Sequence, residues 1–562
     1  MLLIILSKKG PVDKPLEINI QQTGGSFGFY NSFISAGGQL GKWNYYSFIQ
    51  YKSILGWRPN SDVHQVSGFA GINYQANAQL KLGLEYSILR NRIHMPGGFD
   101  DEQFNLDGRA SYRARNWLSS PWNILTGKLD YRFSPSTKLS VKSAYQFSAR
   151  NLVWKNEDGG PETPDSISTV TLQPVNREVQ REIFHASTTE ARLTSDYGIG
   201  EEIKSTLAAG IRLFYGKMKR EGGGVGTTGS DFDLSLVDPR YGYNLNFTTT
   251  NIAPFVENIF RLGKNLSVTP GFRYEYLKST TDGYIDNDIT QTTHGSKDRY
   301  FGLFGIGAQY ITTPSTNIYA NISQAYRPVT YDQLTPFGSA TKIDPNLKDA
   351  NGYNADLGWR GTIKNYLNFD VSGFYLRYNN RIGVTQLFDA NGTPYLFRTN
   401  IANSVHKGAE IYVEFNITKA LFPGSTIGEF SFYNSFSYVD AKYVSGDFKG
   451  KSVEYAPQTI NRLGLTYTYK VFSTTFLISN TAKSFADATN TVSSNDPAVG
   501  LIPAYQVLDW SSSIHLGKYN FKLGINNVAD KRYFTLRTDE YPGPGIIPAI
   551  GRSFYVGFGA SF

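Results

Sequence analysis

Arginine and histidine side chains recur in segments that are rich in glycine, asparagine, aspartate and proline, where loops are expected. A dense set and a scattered set stand out: Arg90, Arg92, His94, Arg109, Arg113 and Arg115, then Arg327, Arg381, Arg398 and Arg537. Guanidinium groups form bidentate hydrogen bonds with carboxylates and phosphates. If several converge at one opening, they form an anion-selective funnel. Alternatively, each pairs with a nearby acid, such as those of residues 100–102.

Two glycine motifs look catalytic, but their surroundings do not fit catalysis. Residues 24–28, Gly-Gly-Ser-Phe-Gly, match the nucleophile elbow, which requires a strand followed by a helix. Here the motif falls in a turn between two alternating segments. Gly224, Gly226 and Gly229 match the dinucleotide fingerprint, but no helical pattern follows them. Neither motif therefore predicts catalysis or nucleotide binding.

No metal site or resident cofactor is predicted. The chain has no Cys, and its six His are scattered without the spacing of a helical metal site. Asp282, Asp286 and Asp288 are close enough in sequence to bind calcium, but the glycine and distal glutamate of an EF-hand loop are missing. A solvated acidic loop is the better interpretation.

Composition excludes several classes of protein. Of 562 residues, 15 % are aromatic and 18 % are charged, and the formal net charge is +8. Disordered chains have few aromatics, and disulfide scaffolds need Cys. No apolar run approaches the roughly 20 residues of a transmembrane helix. The basic residues are spread along the chain, whereas nucleic-acid binders concentrate them, so no nucleic-acid partner is predicted.

Apolar and polar residues alternate with a period of two along most of the chain. In the last segment one face carries Phe554, Val556, Phe558, Ala560 and Phe562. Residues 462–469, 508–516 and 521–526 alternate in the same way. This pattern predicts strands with one apolar and one polar face.

The connections between these strands alternate between tight and long. Tight ones fall at 39–42, 134–138, 262–265, 313–317, 362–366, 470 and 517–519; long ones fall near 91–122, 150–180, 220–247, 281–298, 328–351, 379–402, 441–455, 483–504 and 535–549. We expect about 22 strands, about ten short turns and about eleven longer loops. This predicts an all-β fold: a 22-stranded antiparallel transmembrane β-barrel with short periplasmic turns and long extracellular loops. The alternative, a soluble multi-sheet protein such as a propeller, should repeat every 40–50 residues, and no such repeat is visible.

The C-terminal segments resemble those of TonB-dependent outer-membrane receptors. Residues 526–534, Asn-Asn-Val-Ala-Asp-Lys-Arg-Tyr-Phe, are similar to the penultimate strand of that family, and residues 551–562 are similar to its last strand. The resemblance implies a signal for the barrel-assembly machinery, carried here by Phe554, Val556, Phe558 and Phe562.

The middle of the chain resembles the ferric-citrate-type siderophore receptors within that family. The matching segments are AYRPVTYDQLTPFGSATKIDPNLKDANGYNADLGWRG (325–361), HKGAEIYVEFNI (406–417), PGGFDDEQF (96–104), SYRARNW (111–117), PWN (121–123) and GWRPNS (56–61). One departure is Asp349-Ala350 after Lys348, where the family usually has Pro-Glu. We interpret it as a neutral loop change.

The N-terminal segment departs more strongly from the family. Its members begin with a signal peptide, a TonB box and a globular plug, whereas residues 1–10 here are similar only to the last plug strand. We interpret residues 1–14 as the remnant of the plug-to-barrel junction and residues 15–562 as the receptor β-barrel domain. A fragment, a late-called start and a split gene with a separate plug all fit this pattern.

The resemblance implies a receptor for uptake of a ferric chelate, ferric citrate or a similar siderophore, across the outer membrane of a Gram-negative bacterium. It implies the TonB-ExbB-ExbD complex, the barrel-assembly machinery and outer-membrane lipid as partners. Transport of this kind breaks no bond, so the resemblance also implies that the protein is not an enzyme. Iron would arrive already chelated, so no cofactor and no metal ligands are expected in the protein. Loop position and charge predict these ligand-binding residues: Arg92, His94, Arg113, Arg115, Arg327, Arg381 and Arg398.

Other functions remain open at this point. Without a plug, the barrel would act as a passive channel. A soluble surface module would instead bind glycan or peptide. Within the transporter class, the cargo could be another siderophore, a cobalamin or an oligosaccharide.

Overall fold

A computed structural model describes residues 8–155, 165–200, 203–285, 289–290, 292–330, 333, 341–388, 394–538 and 542–562. Strands dominate this part of the chain. None of its helices has both the length and the apolar composition needed to cross a membrane. The interpreted junction segment begins outside the described residues, since residues 1–7 are not among them.

One sheet of 24 strands makes up the body of the molecule. Its wall consists of 22 long strands. In chain order these are β1 (Glu17–Gly25), β2 (Phe29–Leu40), β3 (Trp43–Ile54), β4 (Val63–Gln75), β5 (Leu80–His94), β7 (Trp122–Arg132), β8 (Thr137–Trp154), β9 (Glu178–Ile199), β10 (Ile203–Val225), β11 (Tyr243–Leu262), β12 (Leu266–Tyr284), β13 (Thr292–Thr313), β14 (Thr316–Arg327), β16 (Ala350–Ile363), β17 (Leu367–Phe388), β18 (Pro394–Asn416), β19 (Glu429–Tyr443), β20 (Thr459–Tyr469), β21 (Phe472–Thr481), β24 (Tyr505–Leu516), β25 (Tyr519–Asn526) and β28 (Ser553–Ser561).

Short elements decorate the connections between the wall strands. β6 (Trp117–Ser119) pairs with the ends of β5 and β8, β15 (Thr341–Ile343) pairs with β18, and two small pairs stand apart from the main sheet. The pairs and helices are β22 (Ser484–Phe485) with β23 (Leu501–Ile502), β26 (Phe534–Thr538) with β27 (Gly545–Pro548), the 3-10 turn Ser26–Gly28, helix α1 (Asp101–Leu106) and helix α2 (Ile417–Leu421).

The sheet closes on itself. β1 pairs antiparallel with β2 on one side and with β28 on the other, where Asn19 lies opposite Ser561 and Gly25 opposite Tyr555. Closure gives every wall strand two neighbours, so no open edge remains. The predicted 22-stranded antiparallel barrel is therefore confirmed.

Side chains alternate between the outer and inner faces of this wall. On β5 the exposed residues Leu82, Leu84 and Tyr86 face outward, whereas Glu85 faces inward and pairs with Lys128 of β7. On β28, Phe554 and Val556 are 61 % and 63 % exposed on the outer face. An apolar exterior around a polar interior is the arrangement of a barrel that sits in lipid.

The two ends of the barrel differ as the sequence predicted. Tight turns connect strands at one end, for example β2 to β3 and β24 to β25, where Gly41 and Gly517 take positive φ values of 55° and 56°. Glycine adopts this conformation without steric cost. The connection from β18 to β19 is longer because α2 occupies it, with Asn416 as its N-cap. The large connections cluster at the other end.

Predicted loop boundaries differ from the observed ones where a strand is longer than expected. The loop expected at 91–122 begins only after His94, because β5 continues its alternation through Arg92. Segment 8–16 lies along the end of β2 and the start of β3: Asn44 donates to the Gly10 carbonyl at 2.9 Å, and Gln39 N–H donates to the Lys14 carbonyl at 2.9 Å. The division at residue 14 stays a prediction.

Candidate ligand-recognition site at the long-loop end

Three long loops share a small apolar core, which we call the loop cap. Its members come from the β5–β7, β21–β24 and β25–β28 connections and are all buried: Phe99, Phe104, Ile502, Phe534 and Ile546. Helix α1 contributes Phe104 and starts with a capping box, in which Asp100 accepts from Gln103 N–H at 2.7 Å. The loops therefore form one packed layer.

Arginine side chains stabilise the loop cap through ion pairs, hydrogen bonds and ring contacts. Arg537 forms a bidentate pair with Asp101, with nitrogen–oxygen distances of 2.6 and 2.9 Å. Arg532 donates to the Asn105 carbonyl at 2.6 Å. Arg58 is buried, donates to the Gly97 carbonyl at 2.8 Å and stacks over a cap aromatic ring. Burial lowers the pKa of Arg58 to about 9, so this side chain stays cationic at neutral pH.

Three residues predicted to bind ligand lie inside this packed region. His94 contacts Asp62 through Nδ1 at 2.8 Å and the Ala114 carbonyl through Nε2 at 2.9 Å. Arg113 and Arg115 are each only 5 % exposed. Arg115 donates to the Val175 carbonyl at 2.8 Å. In this conformation these side chains hold loops together, and their role in binding ligand stays a prediction.

Arg177 joins the next two loops and was not singled out from the sequence. It is 1 % exposed and donates to the Arg115 carbonyl at 3.2 Å, the Asp231 carbonyl at 2.6 Å and the Thr227 hydroxyl at 3.0 Å. Burial is the main reason that the pKa of Arg177 is lowered. No local motif marks this residue, because its partners lie 50 or more positions away in the chain.

Arg92 lies on the outer wall rather than at the opening. It shares the face of Leu82, Leu84 and Tyr86, since the β4–β5 register continues without a bulge to Ile93. Its guanidinium lies 5.3 Å from the ring centroid of Phe232. This location places Arg92 away from the barrel interior, where a passing ligand would be bound.

Arg327 and Arg381, in contrast, meet on the inner wall. Arg327 is exposed and donates to the Tyr378 hydroxyl at 3.1 Å. The Arg381 guanidinium lies 5.3 Å from the Tyr378 ring centroid and pairs with Glu454 at 2.6 Å. Glu454 also accepts from the Tyr443 hydroxyl at 2.6 Å. We call these five residues the inner-wall chain.

Strand alternation directs the inner-wall chain toward the barrel interior. On β14 the exposed outward residue Ile322 has the opposite parity to Arg327, and on β17 Val371 has the opposite parity to Tyr378. A bulge between Tyr378 and Arg381 then re-aims the second arginine. Asn380 forms the bulge with a positive φ of 56°, which asparagine tolerates better than most residues.

Asp349 anchors the backbone beside Arg327. This carboxylate is 12 % exposed and accepts from Arg299 Nε at 2.8 Å, from Val329 N–H at 2.8 Å and from the Tyr326 hydroxyl. Burial acts to raise the pKa of Asp349, but these hydrogen bonds outweigh it and hold that pKa below its usual value. The residue where the sequence departs from the family pattern is thus a structural hub in this chain, and the interpretation of that departure as a neutral change stays a prediction.

We expect Asp349→Asn to loosen the segment that follows β14. Arg299 is 4 % exposed, and removing one partner of a buried ion pair costs about 3 kcal/mol because the remaining charge has no counterion. The lowered pKa means that the stabilisation is complete above the ordinary carboxylate pKa and is lost as pH falls through the lowered value, below about 4. Cleavage between residues 344 and 350 by thermolysin at neutral pH, and by pepsin below about pH 4, measures both effects.

The matched control is Asp344→Asn in the same loop, since the Asp344 carboxylate accepts from Thr399 and Asn346 without a buried cation. It should change cleavage far less than Asp349→Asn. Equal cleavage of the two variants at neutral pH, or a pH profile that Asp349→Asn leaves unchanged, would contradict the role of Asp349 as the hub.

The remaining predictions concern Arg398 and metals. Arg398 is partly buried on β18, where its carbonyl accepts from Asp344 N–H at 2.9 Å. Among the described residues, no group of three or more potential metal-ligating side chains comes together. Asp282 contacts His294, and Asp286 and Asp288 lie outside the described residues. The absence of a metal site stays a prediction.

Comparison with known proteins assigns the barrel to a family. The sequence model described as TonB dependent receptor-like, beta-barrel, matches residues 19–528. The chain belongs to this family. Its members are transport receptors rather than enzymes, as the sequence predicted, and they interact with TonB. Membership places this TonB-dependent receptor barrel in a Gram-negative outer membrane, so the long-loop end is extracellular.

Solved structures of receptors share the fold of this TonB-dependent barrel. The ferric citrate transporter FecA in its unliganded form superposes with a TM-score of 0.81 at 19 % identity, over 97 % of this chain and 78 % of that one. The siderophore receptor PiuA from Acinetobacter baumannii gives 0.77 at 15 %, over 99 % and 82 %. The ferric-catecholate import receptor Fiu from E. coli K12, closed form, gives 0.78 at 15 %, over 99 % and 83 %. Identities this low establish the fold and not the cargo.

Sequence patterns revealed only part of the inner-wall chain. They placed Arg327 and Arg381 near loops, but they did not single out Tyr378, Tyr443 or Glu454. Alternation on β17 could have placed Tyr378 on the inner face. Glu454 lies 73 residues from Arg381 in the chain, and only the pairing of β17 with β18 and of β18 with β19 brings their loops together.

Proposed function

We propose that this barrel serves TonB-energised uptake of an anionic ferric chelate, ferric citrate or a similar siderophore. Membership of the family supports a function in uptake. The two arginines of the inner-wall chain support a negatively charged cargo. Iron travels inside its chelator, so the receptor needs hydrogen-bond donors for the outer carboxylates of the chelate rather than metal ligands. Arginine suits this task because its fork matches a carboxylate.

The exposed guanidinium of Arg327 is the observation that carries this proposal. Among the described residues its only hydrogen bond goes to the Tyr378 hydroxyl, which leaves several N–H donors for a ligand. Arg381 contacts the ring of the same tyrosine, and Glu454 balances part of its charge. A chelate carboxylate that approaches Arg327 therefore meets a site with two cations and one anion.

We propose the same partners that the resemblance implies. Energy would come from TonB-ExbB-ExbD acting through a plug. Phe554, Val556, Phe558 and Phe562 lie on the apolar outer side of the closing strand or at its end, where an assembly machine and lipid can reach them, because three of the four are more than half exposed.

Equilibrium binding to protein purified from native outer membranes tests the cargo. We expect ferric citrate to bind more tightly than an uncharged ferric hydroxamate, a cobalamin or an oligosaccharide, because only the first presents carboxylates to Arg327. The affinity should also fall as salt increases, since exposed charges are screened. Tighter binding of an uncharged cargo, or an affinity that does not change with salt concentration, would overturn the proposal that the cargo is anionic.

A further inference from the structure

The outer wall carries a groove that none of the proposed ligand contacts uses. It has a volume of about 550 Å³ and lies where β4, β5, β7 and β8 approach the extracellular loops. His64, Arg90 and Arg92 line its basic side, and Tyr51, Val66 and Phe147 line its apolar side. We call it the outer groove.

Strand register places the basic side of the outer groove on the lipid-facing surface. Val66 lies opposite Arg90 and His64 lies opposite Arg92 in an unbroken β4–β5 ladder. Along the same face of β5 the side chains follow the order Leu84, Tyr86, Ile88, Arg90 and Arg92. A band of apolar and aromatic residues followed by cations is the order expected across the boundary between acyl chains and headgroups.

Neither arginine of the outer groove is neutralised by an acid that lines it. Arg90 donates to neutral oxygens, the Leu89 carbonyl at 2.9 Å and Asn123 Oδ1 at 3.1 Å. Arg92 contacts the face of Phe232 and makes no hydrogen bond within the part of the chain that the structure describes. All residues lining the groove are described, and none is acidic. Asp62, which lies 4.0 Å from His64, is already bound to a buried histidine at 2.8 Å.

Two other outward cations near this end of the barrel do have acidic partners. Lys219 pairs with Glu221 at 2.6 Å, and Lys407 lies 3.7 Å from Asp440. The outer groove differs from these two sites because it keeps two guanidinium groups beside an apolar surface with no acidic residue in its lining.

We infer that the outer groove binds the phosphorylated headgroup of an acylated glycolipid of the outer leaflet. Arg90 and Arg92 would take a phosphate through charge-assisted hydrogen bonds. The acyl chains would descend along the apolar face formed by Val66, Ile72 and Leu84, which are 39 %, 40 % and 51 % exposed. This site is independent of the proposed cargo, since it lies on the opposite face of the wall.

Native mass spectrometry of the purified, detergent-solubilised protein tests the inference with two probes, bisphosphorylated lipid A and the same lipid with its phosphates removed. We expect the unchanged protein to retain the phosphorylated lipid at least about tenfold better. Replacing both groove arginines by glutamine, R90Q/R92Q, should abolish that preference. The matched control K217Q/K219Q removes two outward cations of β10 and should retain the preference within about twofold.

Folding of each variant is checked by its heat-modifiable electrophoretic shift, which reports the intact barrel. Equal retention of the two lipids by the unchanged protein would overturn the inference. So would an equal loss in R90Q/R92Q and K217Q/K219Q, because it would show general attraction to cations. Loss of a co-purifying protein from R90Q/R92Q with unchanged lipid retention would also overturn it, because the groove would then dock a protein.

Discussion

An R327Q/R381Q variant is expected to bind an anionic ferric chelate about 100-fold more weakly than the unchanged protein. A hydrogen bond to a charged group contributes about 1.5 kcal/mol or more, so two of them account for about two factors of ten. The loss of Arg381 also leaves Glu454 without its cation, which would repel the chelate. The affinity that remains should depend less on salt than that of the unchanged protein.

The measurement is a binding isotherm at two salt concentrations, with R90Q/R92Q as the matched control. That control removes the same charge from the outer wall and should bind the chelate like the unchanged protein. R327Q alone separates ligand contact from wall structure, because Arg327 is exposed and should account for about tenfold by itself. If R327Q/R381Q and R90Q/R92Q bind equally well, the inner-wall chain is not the contact.

Phe99→Ala is expected to release the loop cap while leaving the barrel folded. Phe99 is fully buried, and its ring packs against Tyr112 and under the Arg58 guanidinium. Truncating a buried Phe costs about 3–5 kcal/mol through lost burial and the cavity that remains. Because the cap lies beyond the strand ladders, the loss should appear as local opening. Amide hydrogen exchange across residues 95–116 should accelerate by about 100-fold or more.

Leu106→Ala in the same helical loop is the matched control for that experiment. Leu106 is 79 % exposed, so its truncation should change local stability by less than about 0.5 kcal/mol. Exchange in the strands β12 and β13 should stay slow in both variants. Acceleration throughout the barrel in Phe99→Ala would show instead that the cap and the wall unfold as one unit.

The architecture could be predicted because it depends on local patterns that repeat. Alternation such as that of residues 553–562 assigns an inner and an outer face to each strand, and the unequal connections assign two different ends. These features require no knowledge of which strands are neighbours. The same alternation would have placed Arg92 on the outer face, had the strand been predicted to continue beyond residue 90.

The site was less predictable because its contacts depend on barrel register and loop packing. Arg115 and Arg177 look like surface cations in the sequence, yet each donates to carbonyls of other loops and is buried. Arg381 finds Glu454 only through two intervening strand pairings. The contacts of Asp349 were not visible in the sequence because its partners, Arg299 and Tyr326, lie on earlier strands. The residue types predicted arginines at the long-loop end of the barrel. They did not show which of these arginines remain exposed to a ligand.

Uptake of iron supplied as ferric citrate tests the central claim most directly. Radioactive iron should enter cells that carry this receptor faster than cells that lack it, and the difference should disappear when TonB is inactivated. The R327Q/R381Q receptor, present at normal levels in the outer membrane, should restore little of that uptake. Uptake that persists without TonB, or that R327Q/R381Q supports as well as the unchanged receptor, would contradict energised transport through the inner-wall chain.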